Sequence, residues 1–182
     1  MTRLILLDRD GVINADSPEY IKDVDEWQAL PGSLEAVAGL KKAGYLVAVC
    51  TNQAGIGRGI LTESALLRIH QKMALALASL GCRLDAVAHC PHAPEAGCQC
   101  RKPRPGMLIR MMDQFRVDPG DTLFVGDKLT DMQAAISAGC LPVLVRTGHG
   151  ASVESQACAL GVSWIEDDLT TFVDSLIQDI SC

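Results

Sequence analysis

Short apolar runs alternate along this chain with longer amphipathic stretches, and that alternation constrains the fold more than any other feature. Leu4–Leu7 is continuously apolar and stops dead at Asp8, the pattern of a strand buried on both faces. Further strands are predicted at Leu46–Cys50, Leu84–His89, Thr122–Val125, Pro142–Val145 and near Val162–Ile165. Between them the spacing predicts helices. One covers Pro31–Ala43, with proline near its first turn and Gly44 beyond its end. Another covers Thr62–Leu80, where Leu66, Ile69, Met73, Ala76, Leu77 and Leu80 share a face. Thr62 can cap its start, and Gly81 follows its end. Arg104–Phe115, Asp131–Ala138, a weaker stretch in the tail and Leu169–Ile180 complete the set.

Strand–helix alternation of this kind predicts an α/β fold, a Rossmann-like three-layer sandwich with a mainly parallel sheet. With 182 residues, 48% of them apolar, a single domain over 1–182 is expected. No repeat, linker or low-complexity tract divides it. Met1–Leu7 is too short for the apolar stretch of a signal peptide, and no window reaches a membrane span. A cytoplasmic protein is expected.

Open parallel sheets carry their chemistry beyond the carboxyl ends of the strands. Four segments meet there: Asp8-Arg9-Asp10-Gly11, Thr51-Asn52-Gln53, Arg101-Lys102, and Gly126-Asp127-Lys128 with Asp131. Carboxylates crowded at one edge repel unless a cation neutralises them. Mg²⁺ suits, since it takes one or two carboxylates, waters and a phosphate oxygen. Asp8 and Asp127 are natural ligands, Asp10 can offer its backbone carbonyl, and Asp131 is placed to support them from behind. Lys102 supplies positive charge and Thr51 a hydroxyl, a set suited to phosphoryl transfer. One carboxylate can attack phosphorus, and a second can move the proton.

Those four segments, in that order, resemble the motifs of the haloacid dehalogenase superfamily of phosphatases. The resemblance implies Asp8 as nucleophile and Asp10 as general acid and base. It implies that Thr51 and Lys102 hold the phosphoryl group, and that Asp8, the Asp10 backbone and Asp127 bind Mg²⁺. It gives Arg9 no role.

Eight cysteines are many for a chain of this length. Cys90, His92, Cys98 and Cys100 form a C-x-H-x5-C-x-C cluster. Three thiolates and an imidazole suit tetrahedral Zn²⁺, and a closed set of four is structural. The loop over 90–100 has Pro91, Pro94 and Gly97 and little to bury, so metal is expected to order it. His89 points the other way on an extended chain. Cys50, Cys82, Cys140, Cys158 and Cys182 are scattered and read as inert thiols. Neither the Asp10–Thr51 gap nor the stretch before Lys102 has room for a lid domain, so a capless site is expected.

The metal loop running directly into Cys100-Arg101-Lys102-Pro103 is similar to the family of D-glycero-D-manno-heptose 1,7-bisphosphate 7-phosphatases and the related histidinol-phosphatases. That resemblance implies substrate contacts from Asp16, Ser17, Pro18 and Glu19, from Asn52, Gln53 and Ala54, and from Arg101 and Lys128. A phosphorylated sugar is the implied partner, with histidinol phosphate as the alternative, and a monomer is expected. Sixteen basic against 22 acidic residues give a net charge of −6, which disfavours nucleic acid and anionic membrane. Two rival readings are weaker. Gly55-Ile56-Gly57-Arg58-Gly59 lacks dinucleotide-fingerprint spacing and reads as a permissive loop. A non-catalytic zinc protein would have no use for both Asp8 and Asp10.

Overall fold

Pleat alternation sorts the strands onto two apolar faces. The computed structural model describes residues 4–178. In β1 (Leu4–Leu7), Ile5 and Leu7 join one buried cluster while Leu4 and Leu6 join another. The first cluster is covered by α1 (Ser33–Lys42), then α3 (Glu63–Ser79) and, near the chain end, α7 (Leu169–Gln178). Between α1 and α3 come β2 (Leu46–Asn52) and a single-turn helix, α2 (Ala54–Gly57). β3 (Ala86–Cys90) leads to α4 (Gly106–Phe115), and β4 (Thr122–Gly126) to α5 (Leu129–Ala138). These two helices cover the opposite face through Met107, Leu108, Met111 and Ala134, Ala135, Ala138. β5 (Leu141–Val145), α6 (Gly150–Ala159) and β6 (Trp164–Glu166) complete the order. Each fully buried Leu, Phe or Met on these faces favours the fold by about 1.5–3 kcal/mol.

All strands pair in parallel in the order β3-β2-β1-β4-β5-β6. The three-layer α/β sandwich read from the sequence is therefore the observed architecture. Leu7 registers with Val49 on one side and Val125 on the other, so β1, β2 and β4 deliver their next residues to one edge. The chain reverses direction across the sheet at β1/β4, the place where such sheets open a crevice.

Element ends differ from the sequence reading for identifiable reasons. β2 runs on through Thr51 and Asn52, which pair with His89 and Cys90. Their polar side chains concealed this. β3 starts later than Leu84, at Ala86, because the Asp85 carboxylate accepts the Val47 N–H of β2 at 2.7 Å in place of a ladder carbonyl. α5 starts earlier, at Leu129, because Asp131 accepts the Lys128 N–H at 3.0 Å and closes the first turn. The predicted end of the last helix, Ile180, and Cys182 lie outside the described residues. Among the described residues no helix is long and apolar enough to cross a membrane. The segments 8–32 and 91–105 carry loops, 3₁₀ turns at Val24–Glu26 and Pro94–Ala96, and isolated bridges of Asn14 to Asp10 and Ala29, so among the described residues no lid domain covers the crevice.

Candidate active site

Three acids from two strand ends share one buried spot. Asp8 follows β1, Asp127 follows β4, and Asp131 stands in the first turn of α5. Carboxylate oxygens of all three lie within 4.8 Å of one another. Lys102 is their counter-charge. Its ammonium sits 2.7 Å from Asp131 Oδ1, 3.0 Å from Asp8 Oδ1, and donates to the Cys50 carbonyl at 2.9 Å. Burial alone would lower the lysine's pKa, but Asp131 and Asp8 more than reverse it. One ammonium cannot balance three acids. Burial pushes Asp8 up to about 6, against the pull of Lys102, and Asp127 up to about 7.

The donor set fits a hard divalent cation. Asp127 Oδ2 accepts the His149 N–H at 2.9 Å, while its Oδ1 is buried with no partner. Asp131 is otherwise engaged, by Lys102 and by the Lys128 N–H. Both contacts to Asp8, from Lys102 and from the Arg9 N–H at 2.7 Å, fall on Oδ1, which leaves Oδ2 for other work.

Two glycines at positive φ make room for Asp127. A Cβ on Gly11 (φ 88) or on Gly148 (φ 57) would fall 2.2 Å from Asp127 Oδ2. Gly11→Ala is expected to strain the backbone by about 1–3 kcal/mol and to displace the Asp127 carboxylate. The check is a lowered thermal midpoint together with a raised Mg²⁺ requirement for activity. An unchanged requirement would separate Asp127 from metal binding.

Thr51 and Gln53 form a second group. Gln53 Nε2 donates to Asp10 Oδ2 at 2.8 Å and to Thr51 Oγ1 at 3.0 Å. Burial would raise Asp10, but Arg9 and hydrogen bonds from Asn14 and Gln53 hold it below the usual carboxylate range. Asn52 clamps the Lys102 backbone from both sides: Nδ2 donates to its carbonyl at 3.1 Å, and Oδ1 accepts its N–H at 3.2 Å.

These groups floor an open cavity of about 320 Å³. Asp8, Asp10, Thr51, Asn52, Gln53, Ala54, Arg101, Lys102, Lys128 and Asp131 line it, as do Asp16, Ser17 and Pro18. Glu19 does not. It is exposed and outside the lining, because the chain turns after Ser17, whose Oγ accepts the Glu19 N–H. Asp127 is also absent from the wall, since the two glycines lie over it.

The Cys/His loop adjoins this cavity through Arg101. Cys90 Sγ lies 3.6 Å from both His92 Nδ1 and Cys98 Sγ, and Cys100 Sγ lies 3.4, 3.4 and 3.5 Å from Cys90 Sγ, His92 Nδ1 and Cys98 Sγ. A regular tetrahedron with edges of about 3.5 Å has its centre roughly 0.61 of an edge, about 2.1 Å, from each corner, near the Zn–N and Zn–S lengths of about 2.0–2.3 Å. The cluster could hold zinc, and its geometry fits that ion. His89 turns away, to Glu63 at 3.2 Å. Cys50 and Cys140 are buried, and burial pushes both thiols up to about 12. Cys82 is half-buried and Cys158 exposed.

Known proteins resemble this chain in sequence and fold. A sequence profile of the family described as HAD-hydrolase-like matches residues 99–172. The D-glycero-β-D-manno-heptose-1,7-bisphosphate 7-phosphatase of Bordetella bronchiseptica is 45% identical over 177 residues, covering 97% of this chain and 99% of its own. The chain belongs to the heptose-1,7-bisphosphate 7-phosphatase family. The Pseudomonas aeruginosa member is 44% identical over 96% of this chain and 98% of its own length. The crystal structure of the B. bronchiseptica enzyme, complexed with magnesium and phosphate, superposes with a TM-score of 0.94 over 98% of this chain and 99% of that one.

In this heptose-bisphosphate phosphatase family member, Arg58 of the cavity wall and His149 behind it escape a reading by motif. Arg58 and Tyr20 line the wall, with Arg58 Nη1 donating to the Tyr20 hydroxyl at 2.6 Å. Gly55 gives the Tyr20 ring its space, and Gly57 packs on Pro91 and Ala93. The glycine-rich stretch is thus closely packed at Gly55 and Gly57, while Gly59, exposed and at φ 70 with open space beside it, has the permissive backbone expected of the loop. His149 reaches back with its N–H to Asp127 and its ring to Asp16 at 3.2 Å. Only the glycines on either side of it, Gly148 and Gly150, hinted at a tight turn there.

Proposed function

We propose that this protein is a single-domain Mg²⁺-dependent phosphatase that removes the 7-phosphate of D-glycero-D-manno-heptose 1,7-bisphosphate. The observation that carries the reading is the buried Asp8–Lys102–Asp131 cluster beside Asp127, at the floor of a cavity that also presents Arg101, Arg58 and Lys128. Asp8 and Asp127, with the Asp10 carbonyl, would hold Mg²⁺. The ion supplies charge neutralisation between phosphate and carboxylates.

The residues then divide the work. Asp8 Oδ2 attacks phosphorus in line, a new P–O bond forms, and the bond to the sugar oxygen breaks. Asp10 gives its proton to that departing oxygen. In the second half Asp10 takes a proton from water as the water attacks phosphorus, and Asp8 leaves with its oxygen restored. Asp10 rests as an anion, and an incoming phosphate beside it favours its protonation. Thr51 and Lys102 hold the phosphoryl oxygens. Asp131 keeps Lys102 in place, and Lys128 ties the substrate loop through Asp16 at 2.8 Å.

A bisphosphate gives Arg101 a purpose. Its guanidinium has no carboxylate partner among the described residues and contacts the His92 carbonyl at 3.3 Å. An arginine so placed suits a second phosphate. Arg101→Ala is expected to lower kcat/KM on the bisphosphate about tenfold and on a monophosphate much less. Equal losses remove this role. Side-by-side rates on the heptose bisphosphate and on histidinol phosphate test the substrate itself, and a preference for histidinol phosphate would overturn it.

We place the protein in the cytoplasm as a monomer, without nucleic-acid or membrane partners. The net charge of −6 supports the exclusion of polyanions. Exposed large apolar side chains are spread over α3, β3, α4, α5 and β5, which supports the monomer.

A further inference from the structure

The largest fully buried side chain in the described structure is an arginine, Arg9. It stands between the two aspartates of the first motif, and nothing so far gives it work. A buried guanidinium costs several kcal/mol unless it is paired and hydrogen-bonded. Arg9 is paired with Asp10 alone. Its Nε donates to Asp10 Oδ1 at 2.9 Å, and its Nη2 lies 2.9 Å from Oδ1 and 3.1 Å from Oδ2. The planar fork therefore grips both oxygens, which fixes the rotation of the carboxylate as well as its position.

Two neighbours complete the grip. Asn14, itself fully buried, donates from Nδ2 to Asp10 Oδ1 at 2.9 Å. Gln53 donates to Oδ2 from the phosphoryl side of the site. The Arg9 carbonyl meanwhile accepts the N–H groups of Ile13 at 2.9 Å and Asn14 at 3.1 Å. Arg9 thus shapes the turn with its backbone and aims Asp10 with its side chain. Among the described residues no lid domain covers the site to bring this carboxylate into line by closing. The alignment has to be present beforehand.

We infer that Arg9 is a positioning residue, which holds the Asp10 carboxylate in register with the oxygen that leaves phosphorus. The inference rests on the proposed role of Asp10 as proton donor. Its signature is dependence on the leaving group. A sugar alkoxide departs badly without a proton, whereas p-nitrophenolate departs without help.

The test measures the first chemical step by rapid mixing, on the sugar phosphate and on p-nitrophenyl phosphate, for four variants. Arg9→Met is expected to slow transfer from the sugar phosphate about 100-fold and the p-nitrophenolate burst less than about fivefold, within the range that acid–base catalysis supplies. Arg9→Lys keeps charge without the fork and is expected to show the same selectivity, smaller in size. Asp10→Asn should show it in full. The double variant Arg9→Met/Asp10→Asn should match Asp10→Asn alone, because Arg9 then has nothing to aim. Should Asp10→Asn slow both substrates alike, the role of Asp10 falls. A selective Asp10→Asn beside Arg9 variants that slow both substrates alike, or losses that multiply in the double variant, would overturn the inference about Arg9. If Arg9→Met does not fold, the Arg9→Lys ratio decides.

Discussion

Asp8→Asn is expected to lower turnover roughly ten-thousand-fold or more, the scale on which loss of a covalent nucleophile is felt. An amide in this position is nearly the same shape but cannot attack phosphorus. The fold should survive. The amide oxygen can still accept the Arg9 N–H, and Lys102 keeps Asp131 and the Cys50 carbonyl. Breaking a buried ion pair would ordinarily cost 3–5 kcal/mol. Here the change also removes one of three crowded acids, and Asp8 is among the groups that push Asp127 upward. The two effects oppose each other. The thermal midpoint is therefore expected to stay within about 3 °C, equivalent to about 1 kcal/mol for a chain of this size. Phosphate release and thermal unfolding measured on one preparation check both halves. Retained turnover would remove Asp8 as nucleophile, and a collapsed midpoint would show that its charge holds the fold.

The fold was legible because strands buried on both faces leave a plain trace. Leu4–Leu7 could be nothing but a central strand, and its abrupt end at Asp8 marked the reactive edge. Polar residues inside strands were not legible. Thr51 and Asn52 look like a loop in sequence, and only their pairing with His89 and Cys90 shows them to be β2. The motif acids could be read in order, since each follows a strand that the sheet brings to one edge. What sequence withholds is which partner a side chain prefers. Asn52 lines the cavity, but nothing in the sequence shows that its amide also spans the Lys102 backbone. Arg9 has no role from the motif resemblance, and the sequence gives no sign of the fork it places on Asp10. Its complete burial could not be seen until the 11–14 turn and α3 were in place around it.

The Cys/His loop makes the second large effect, this time on stability and activity together. Structural zinc contributes about 10–16 kcal/mol in small fingers that are unfolded without it. This loop has other supports. Cys90 is the last residue of β3, Gly57 donates to the Pro91 carbonyl at 2.8 Å, and Arg104 donates to the Cys98 carbonyl at 2.6 Å. Loss of the metal should therefore cost a fraction of the finger value, about 3–5 kcal/mol, seen as a midpoint lowered by about 10 °C. The effect should reach catalysis because Cys100 precedes Arg101 and Lys102 directly. The Asn52 clamp holds Lys102, but Arg101 reaches back only to the His92 carbonyl, within the loop itself. Purified protein should contain close to one zinc per chain. Cys100→Ala should lose it, lower the midpoint and reduce kcat/KM on the bisphosphate at least as much as Arg101→Ala does. Because chelation would strip both metals, Mg²⁺ restored in excess separates the contributions, and only zinc should bring back the midpoint. A zinc-free protein with an unchanged midpoint and full activity would show that the four ligands order nothing.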